Sequence, residues 1–146
     1  VYRDYYADMI RTACIGQPTE QQKKMHKIAV RCNRECVKAV KPGIKISDID
    51  DVRQRVQKED GVLEYAFAGV GHGIGLTMHE LPRIGPGIKD VLKPGMVFTV
   101  EPGITMMIGH EPPIPEVGTR FVEDAVVVTE DGYRELTRID RELFIA

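Results

Sequence analysis

Gly71-His72-Gly73-Ile74-Gly75-Leu76-Thr77-Met78-His79-Glu80-Leu81-Pro82 is the run from which the rest of the chain is read. Glycines at 71, 73 and 75 allow a backbone to pass close to a neighbouring group and to take conformations closed to other residues. His72 sits among them, and His79 and Glu80 follow just ahead of a Leu81-Pro82 step that is expected to end the segment. Two of the 4 histidines fall in this run. An imidazole held in a glycine-rich turn suits a metal ligand or a proton-transfer group. A glycine-rich loop with two solvated histidines is the plain alternative.

Downstream, Met96-Val-Phe-Thr-Val-Glu101-Pro is rich in β-formers and ends on a charge, and it predicts a short strand. Residues 106–118 are rich in proline and glycine and predict a loop, with His110 and Glu111 on it. Phe121–Thr129 predicts a strand whose apolar run is interrupted by Glu123 and Asp124. Glu130-Asp131-Gly132 then reads as a hairpin turn, and Tyr133–Thr137 as the returning strand. Upstream, Tyr65–Val70 predicts a strand leading into the glycine run. Ser47 is expected to open a helix that carries Ile49, Val52 and Val56 inward and stops at Gly61. Before it, Thr19 and Gln22 form a capping box. Met25, Ile28, Ala29, Cys32, Cys36 and Val40 then make one apolar face of a long helix that ends before Pro42-Gly43. Tyr2–Ile15 alternates as a strand would, with Tyr6, Asp8, Ile10 and Thr12 on one face.

A chain of 146 residues is long enough to bury one core. The balance of 20 Lys+Arg against 22 Asp+Glu, with the charges interspersed, speaks against a nucleic-acid footprint or a membrane-attracting patch. No apolar run is long enough to span a bilayer and no signal peptide opens the chain. Cys14, Cys32 and Cys36 are odd in number and lack a paired C-x-x-C spacing, which argues against a disulfide framework or a thiolate zinc site. A reducing, cytoplasmic setting is expected.

Four residues share one property. Asp8, His72, Glu101 and Glu123 each lie in or beside an apolar segment or a glycine turn, where an unpaired charge would be costly. Gathered in space, three carboxylates and one imidazole would suit manganese, cobalt, iron or zinc in the divalent state. Carboxylates can also bridge two ions about 3.5–4 Å apart.

Tyr6-Ala-Asp8-Met-Ile-Arg11-Thr12, Gly71-His72-Gly-Ile-Gly, His79-Glu80, Phe98-Thr-Val-Glu101-Pro-Gly and Glu123-Asp124 occur in this order. The series resembles the pita-bread metallopeptidase family, which includes methionine aminopeptidase, aminopeptidase P, prolidase and creatinase. The resemblance runs over nearly the whole chain and implies an α+β pita-bread fold. Residues 1–146 would form the C-terminal portion of one catalytic domain truncated in its N-terminal half. It implies that Asp8, His72, Glu101 and Glu123 are metal ligands, with Asp8 and Glu123 bridging two ions. It also implies that His79 faces the substrate, and that Glu101 or Glu123 moves a proton during catalysis.

Three departures from the family pattern stand out. Its first ligand Asp would lie ahead of Val1, so this chain is expected to hold at most one ion tightly. A family His four positions before the ligand His is matched by Ala68, and a family Arg two positions before the last Glu by Phe121. Arg120, one step away, is the nearest candidate for that substrate contact, and His110 is a second candidate on the loop. Both positions bear on strict Xaa-Pro specificity. The leading expectation is a dinuclear-metal hydrolase of Xaa-Pro peptides. A creatinase- or ectoine-hydrolase-like small-amide hydrolase and a non-catalytic binding module are the alternatives. A homo-oligomer is among the expected assemblies.

Overall fold

Thr19 starts the first helix, α1 (Glu20–Ala39), by a reciprocal exchange with Gln22. The Gln22 N–H donates to Thr19 Oγ1 at 3.2 Å, and the Thr19 N–H donates to Gln22 Oε1 at 2.9 Å. The computed structural model in which this is seen describes residues 1–104, 118 and 121–146. Met25, Ile28, Ala29, Cys32, Cys36 and Val40, the apolar stripe expected from the three- and four-residue spacing, are all buried. The second helix, α2, spans Ile46–Glu59. Its cap is Lys45 and not Ser47, because the first N–H groups are satisfied by a loop instead of a side chain. The Ile46 and Ser47 N–H groups donate to Asp90 O (2.9 Å) and Ile88 O (3.3 Å). Gly61, at φ 70, takes the left-handed turn that ends the helix.

Five strands form an antiparallel sheet: β2 (Gly71–Gly73), β3 (Glu80–Ile84), β4 (Val97–Val100), β5 (Asp124–Val128) and β6 (Tyr133–Glu135). Their order is β3-β2-β4-β5-β6. The hairpin between β5 and β6 is the expected one, closed by the Thr129 N–H on Gly132 O at 3.0 Å. Phe98, Val100, Val126 and Val128 share one core with Cys32, Cys36, Val37, Ile49 and Val56, so both helices lie on one face of the sheet. Side chains alternate along a strand, which turns Thr99, Glu101 and Glu123 to the opposite face. β4 and β5 pair from Val97↔Val127 to Val100↔Asp124. One further step in that register would set Glu101 against Glu123.

Three further expectations need correction. Tyr2–Ile15 is not one strand: only Ala13–Cys14 (β1) is, and it pairs in parallel with β7 (Phe144–Ile145). Arg3 and Asp4 take left-handed φ values of 49 and 69, which break extended pairing, and Arg11 docks the segment through its side chain. Tyr65–Val70 forms no strand; a single 3-10 turn occupies Leu63–Tyr65, and Gly69 at φ 101 interrupts the approach to β2. Leu81-Pro82 does not end the segment. The proline lies inside β3, a strand at the edge of the sheet, where a missing N–H costs no ladder bond.

Candidate metal centre

The glycines at the start of the decisive run are there for contact. A Cβ on Gly71 would stand 1.9 Å from Thr99 O, and one on Gly73 would stand 2.4 Å from Leu81 O. Only glycine lets β2 pass this closely between its two neighbours, and that passage carries His72 onto the face opposite the helices. The His72 N–H donates to Thr99 Oγ1 at 3.2 Å. Its Nδ1 lies 3.1 Å from Gly73 O. A carbonyl only accepts, so Nδ1 carries the proton and Nε2 presents a lone pair. That Nε2 lies 3.2 Å from Glu101 Oε1.

Each carboxylate reaches the site from a different anchor. The Glu101 N–H donates to Val70 O at 2.6 Å, and the Glu123 N–H to Ile10 O at 3.1 Å. Asp8 is brought in by the Tyr6 N–H on Gly75 O at 2.8 Å, and the Met9 N–H donates to its Oδ1 at 3.0 Å. Ligand atoms of Asp8, His72 and Glu123 all lie within 4.8 Å of one another. Glu101 joins them through His72. All four residues singled out in the sequence therefore meet on one side of the sheet.

Electrostatics make the cluster unstable as a set of bare anions. Burial pushes the Glu123 carboxyl up to about 8, helped by the negative charges of Glu101 and Asp8 and by a hydrogen bond with Asp8. Glu101 is also raised, first by burial, with the charge of Asp8 adding to it. Among the described residues, Glu123 Oε1 is buried with no hydrogen-bond partner. A divalent cation would satisfy that oxygen and offset the crowded charge, and three carboxylates with one imidazole are donors such an ion accepts. The residues present fit the group.

His79 is near the cluster and outside it. Its ring centroid lies 4.1 Å from that of His72, and it is exposed. Glu80 holds the intervening turn by accepting the Thr77 N–H at 2.7 Å. His72, His79 and Glu101 line a groove of about 840 Å³ together with Phe67, Gly69 and Arg83. His110 and Arg120 lie outside the described residues, as does nearly all of the loop expected over residues 106–118.

Two residues at the site had no assigned role in the sequence reading. Thr99 is fully buried, accepts the His72 N–H and donates to Glu101 Oε1 at 3.5 Å. Its signal was a hydroxyl inside an apolar strand, two positions before Glu101 and so on the same face. Asp124 read only as an interruption of a strand. It accepts from Thr137 (2.6 Å), Arg11 (2.6 Å) and Arg141 (2.7 Å). Burial pulls its carboxyl upward, yet those three donors outweigh burial and leave it below the ordinary value.

A family model described as metallopeptidase family M24 matches residues 1–130. The chain belongs to metallopeptidase family M24. This M24 chain is 38% identical over 143 residues to an Xaa-Pro dipeptidase of Pyrococcus furiosus, a match covering 98% of the chain and 39% of the relative. Among solved structures, it superposes on a dipeptidase from Mycobacterium ulcerans with a TM-score of 0.88 at 35% identity, covering 99% of the chain and 37% of that structure. An X-Pro aminopeptidase from Thermotoga maritima gives a TM-score of 0.90 at 32% identity, covering 99% and 38%. The architecture is that of the α+β pita-bread fold, and the M24 chain spans between 37% and 39% of the length of these relatives. Among the described residues, no helix is long and apolar enough to cross a membrane.

Proposed function

We propose that this chain carries the ion-binding part of a metal-dependent hydrolase of Xaa-Pro peptides. One observation carries the reading: the buried, unpartnered Oε1 of Glu123 in a cluster with Asp8 and His72. Asp8, His72, Glu101 and Glu123 would hold the metal. Bound divalent ions would polarise a substrate carbonyl and supply a water acidic enough to ionise near neutral pH. His79, exposed beside His72 and lining the groove, is placed to donate to the oxygen on which negative charge develops. Glu123 or Glu101 would take the proton from water and pass it to the leaving amine. The groove beside them has room for a dipeptide. The names of the relatives, Xaa-Pro dipeptidase and X-Pro aminopeptidase, support the choice of substrate.

Oxygen-rich ligation with one nitrogen suits manganese, cobalt, zinc or iron. Asp8, His72, Glu101 and Glu123 would supply one set of ligands. The chain should therefore bind one ion tightly. Three unpaired cysteines, two of them buried, suit a reducing, cytoplasmic setting. Metal content after dialysis against manganese or cobalt tests the site: one equivalent in the wild type and under a tenth of that in His72→Ala. Metal that stays in His72→Ala, or none in the wild type, overturns the assignment. Hydrolysis of an Xaa-Pro dipeptide by the full-length protein tests the substrate, and turnover of a small amide instead would replace it.

A further inference from the structure

The ladder between β4 and β5 stops one residue short of the two candidate ligands they carry. Val100 pairs with Asp124, and there the strands fork. Beyond that point the Glu101 N–H goes to Val70 O and the Glu123 N–H to Ile10 O, away from each other. Two carbonyls are left facing the helix side of the fork, Val100 O and Val122 O, each one residue before a ligand. Asn33, on α1 and fully buried, fills the gap. Its Nδ2 donates to Val100 O at 2.9 Å and to Val122 O at 3.1 Å. Both amide protons are used, which fixes the side chain's orientation, since the flipped amide would set an oxygen against two carbonyls. The arrangement leaves Asn33 Oδ1 buried without a partner. An apolar residue in its place would remove that oxygen and leave Val100 O and Val122 O without their donor.

We infer that Asn33 is a positioning residue for the metal centre: by bridging the carbonyls before Glu101 and Glu123 it sets the opening of the fork and so the separation of those two carboxylates. It touches neither ion nor substrate and acts from the opposite face of the sheet. The inference rests on the metal-site reading above and goes beyond it by naming the residue that spaces two of the ligands.

Cobalt serves as the probe, because its visible absorption reports ligand geometry. Asn33→Leu keeps the branching and removes both donors, and Asn33→Ser keeps a hydroxyl able to reach one carbonyl. Val37→Ala, buried one turn further along the same helix, is the control for plain destabilisation. Urea unfolding ranks the stability of all three. The expected result is a cobalt Kd at least tenfold weaker in Asn33→Leu, with a shifted visible band, and an intermediate loss in Asn33→Ser. Val37→Ala should lose stability and keep the wild-type band and Kd. Asn33→Ser carries the test alone if Asn33→Leu does not fold. Wild-type band and Kd in the Asn33 variants overturn the inference, and so does an equal weakening in Val37→Ala. A wild-type chain that takes up no cobalt removes the metal site itself, and the positioning role with it.

Discussion

A carboxyl group buried beside two others keeps its proton well past the range in which an exposed glutamate loses it, and this makes Glu123 a point where pH acts on the metal-free chain. Its carboxyl titrates near 8 when folded, against an ordinary 4.5. Below the ordinary value both folded and unfolded chains hold the proton, and the group's stabilising share is fully present. Between the two values the unfolded chain releases the proton and the folded one retains it, so rising pH favours unfolding. With a chelator present, Tm should fall from about pH 5 to about pH 8, and Glu123→Gln should flatten that slope. A slope unchanged in Glu123→Gln would place the titration elsewhere. Thr99 governs the same site without a charge. Thr99→Val keeps the volume and leaves the His72 N–H buried without an acceptor, at a cost of about 1–3 kcal/mol in urea unfolding.

The elements themselves depend on contacts of very different tolerance. At the start of α1, Thr19→Ala removes one reciprocal cap and should cost about 1 kcal/mol, since the helix stays anchored by its buried stripe. At β2 there is no such slack. A methyl group on Gly71 would meet the backbone of Thr99, which cannot swing aside as a side chain end could. Gly71→Ala should therefore cost about 3 kcal/mol and also displace His72, so that metal uptake falls with stability. A Gly71→Ala chain that unfolds like the wild type would show that β2 and β4 are not held this close.

Across the whole molecule, Arg11 ties the first segment to the last. Its guanidinium donates to Glu123 O, Asp124 Oδ1, Ile139 O and Asp140 O, so it links the strand end carrying Glu123 to the chain after β6. Arg11 and Asp124 are both buried, and removing one partner of such a pair leaves charge uncompensated. Asp124 would keep Arg141 and Thr137. Arg11→Met should cost about 3 kcal/mol and weaken metal binding, because Asp8 lies three residues before it on the same docked segment. Urea unfolding and a cobalt titration on one sample check both effects, and stability lost with Kd unchanged would separate Arg11 from the site.

Local chemistry was enough where helical period, turn residues or the cost of a charge decides. The stripe of α1, its capping box and the β5–β6 hairpin follow from spacing and turn residues, which act over a few positions. The four candidate ligands were legible because charge in an apolar segment is expensive wherever the segment lies, and the family motifs placed them in one set. Partners distant in sequence were not legible. Nothing near Asn33 announces two carbonyls at Val100 and Val122, and nothing near Asp124 announces Arg11 and Arg141. Pro82 argued for an ending and sits within β3, because whether a strand is central or at an edge depends on what the rest of the chain leaves beside it. Tyr2–Ile15 had the alternation of a strand and lacked a neighbour to pair with along most of its length, since a ladder needs a partner that only the tertiary fold can bring.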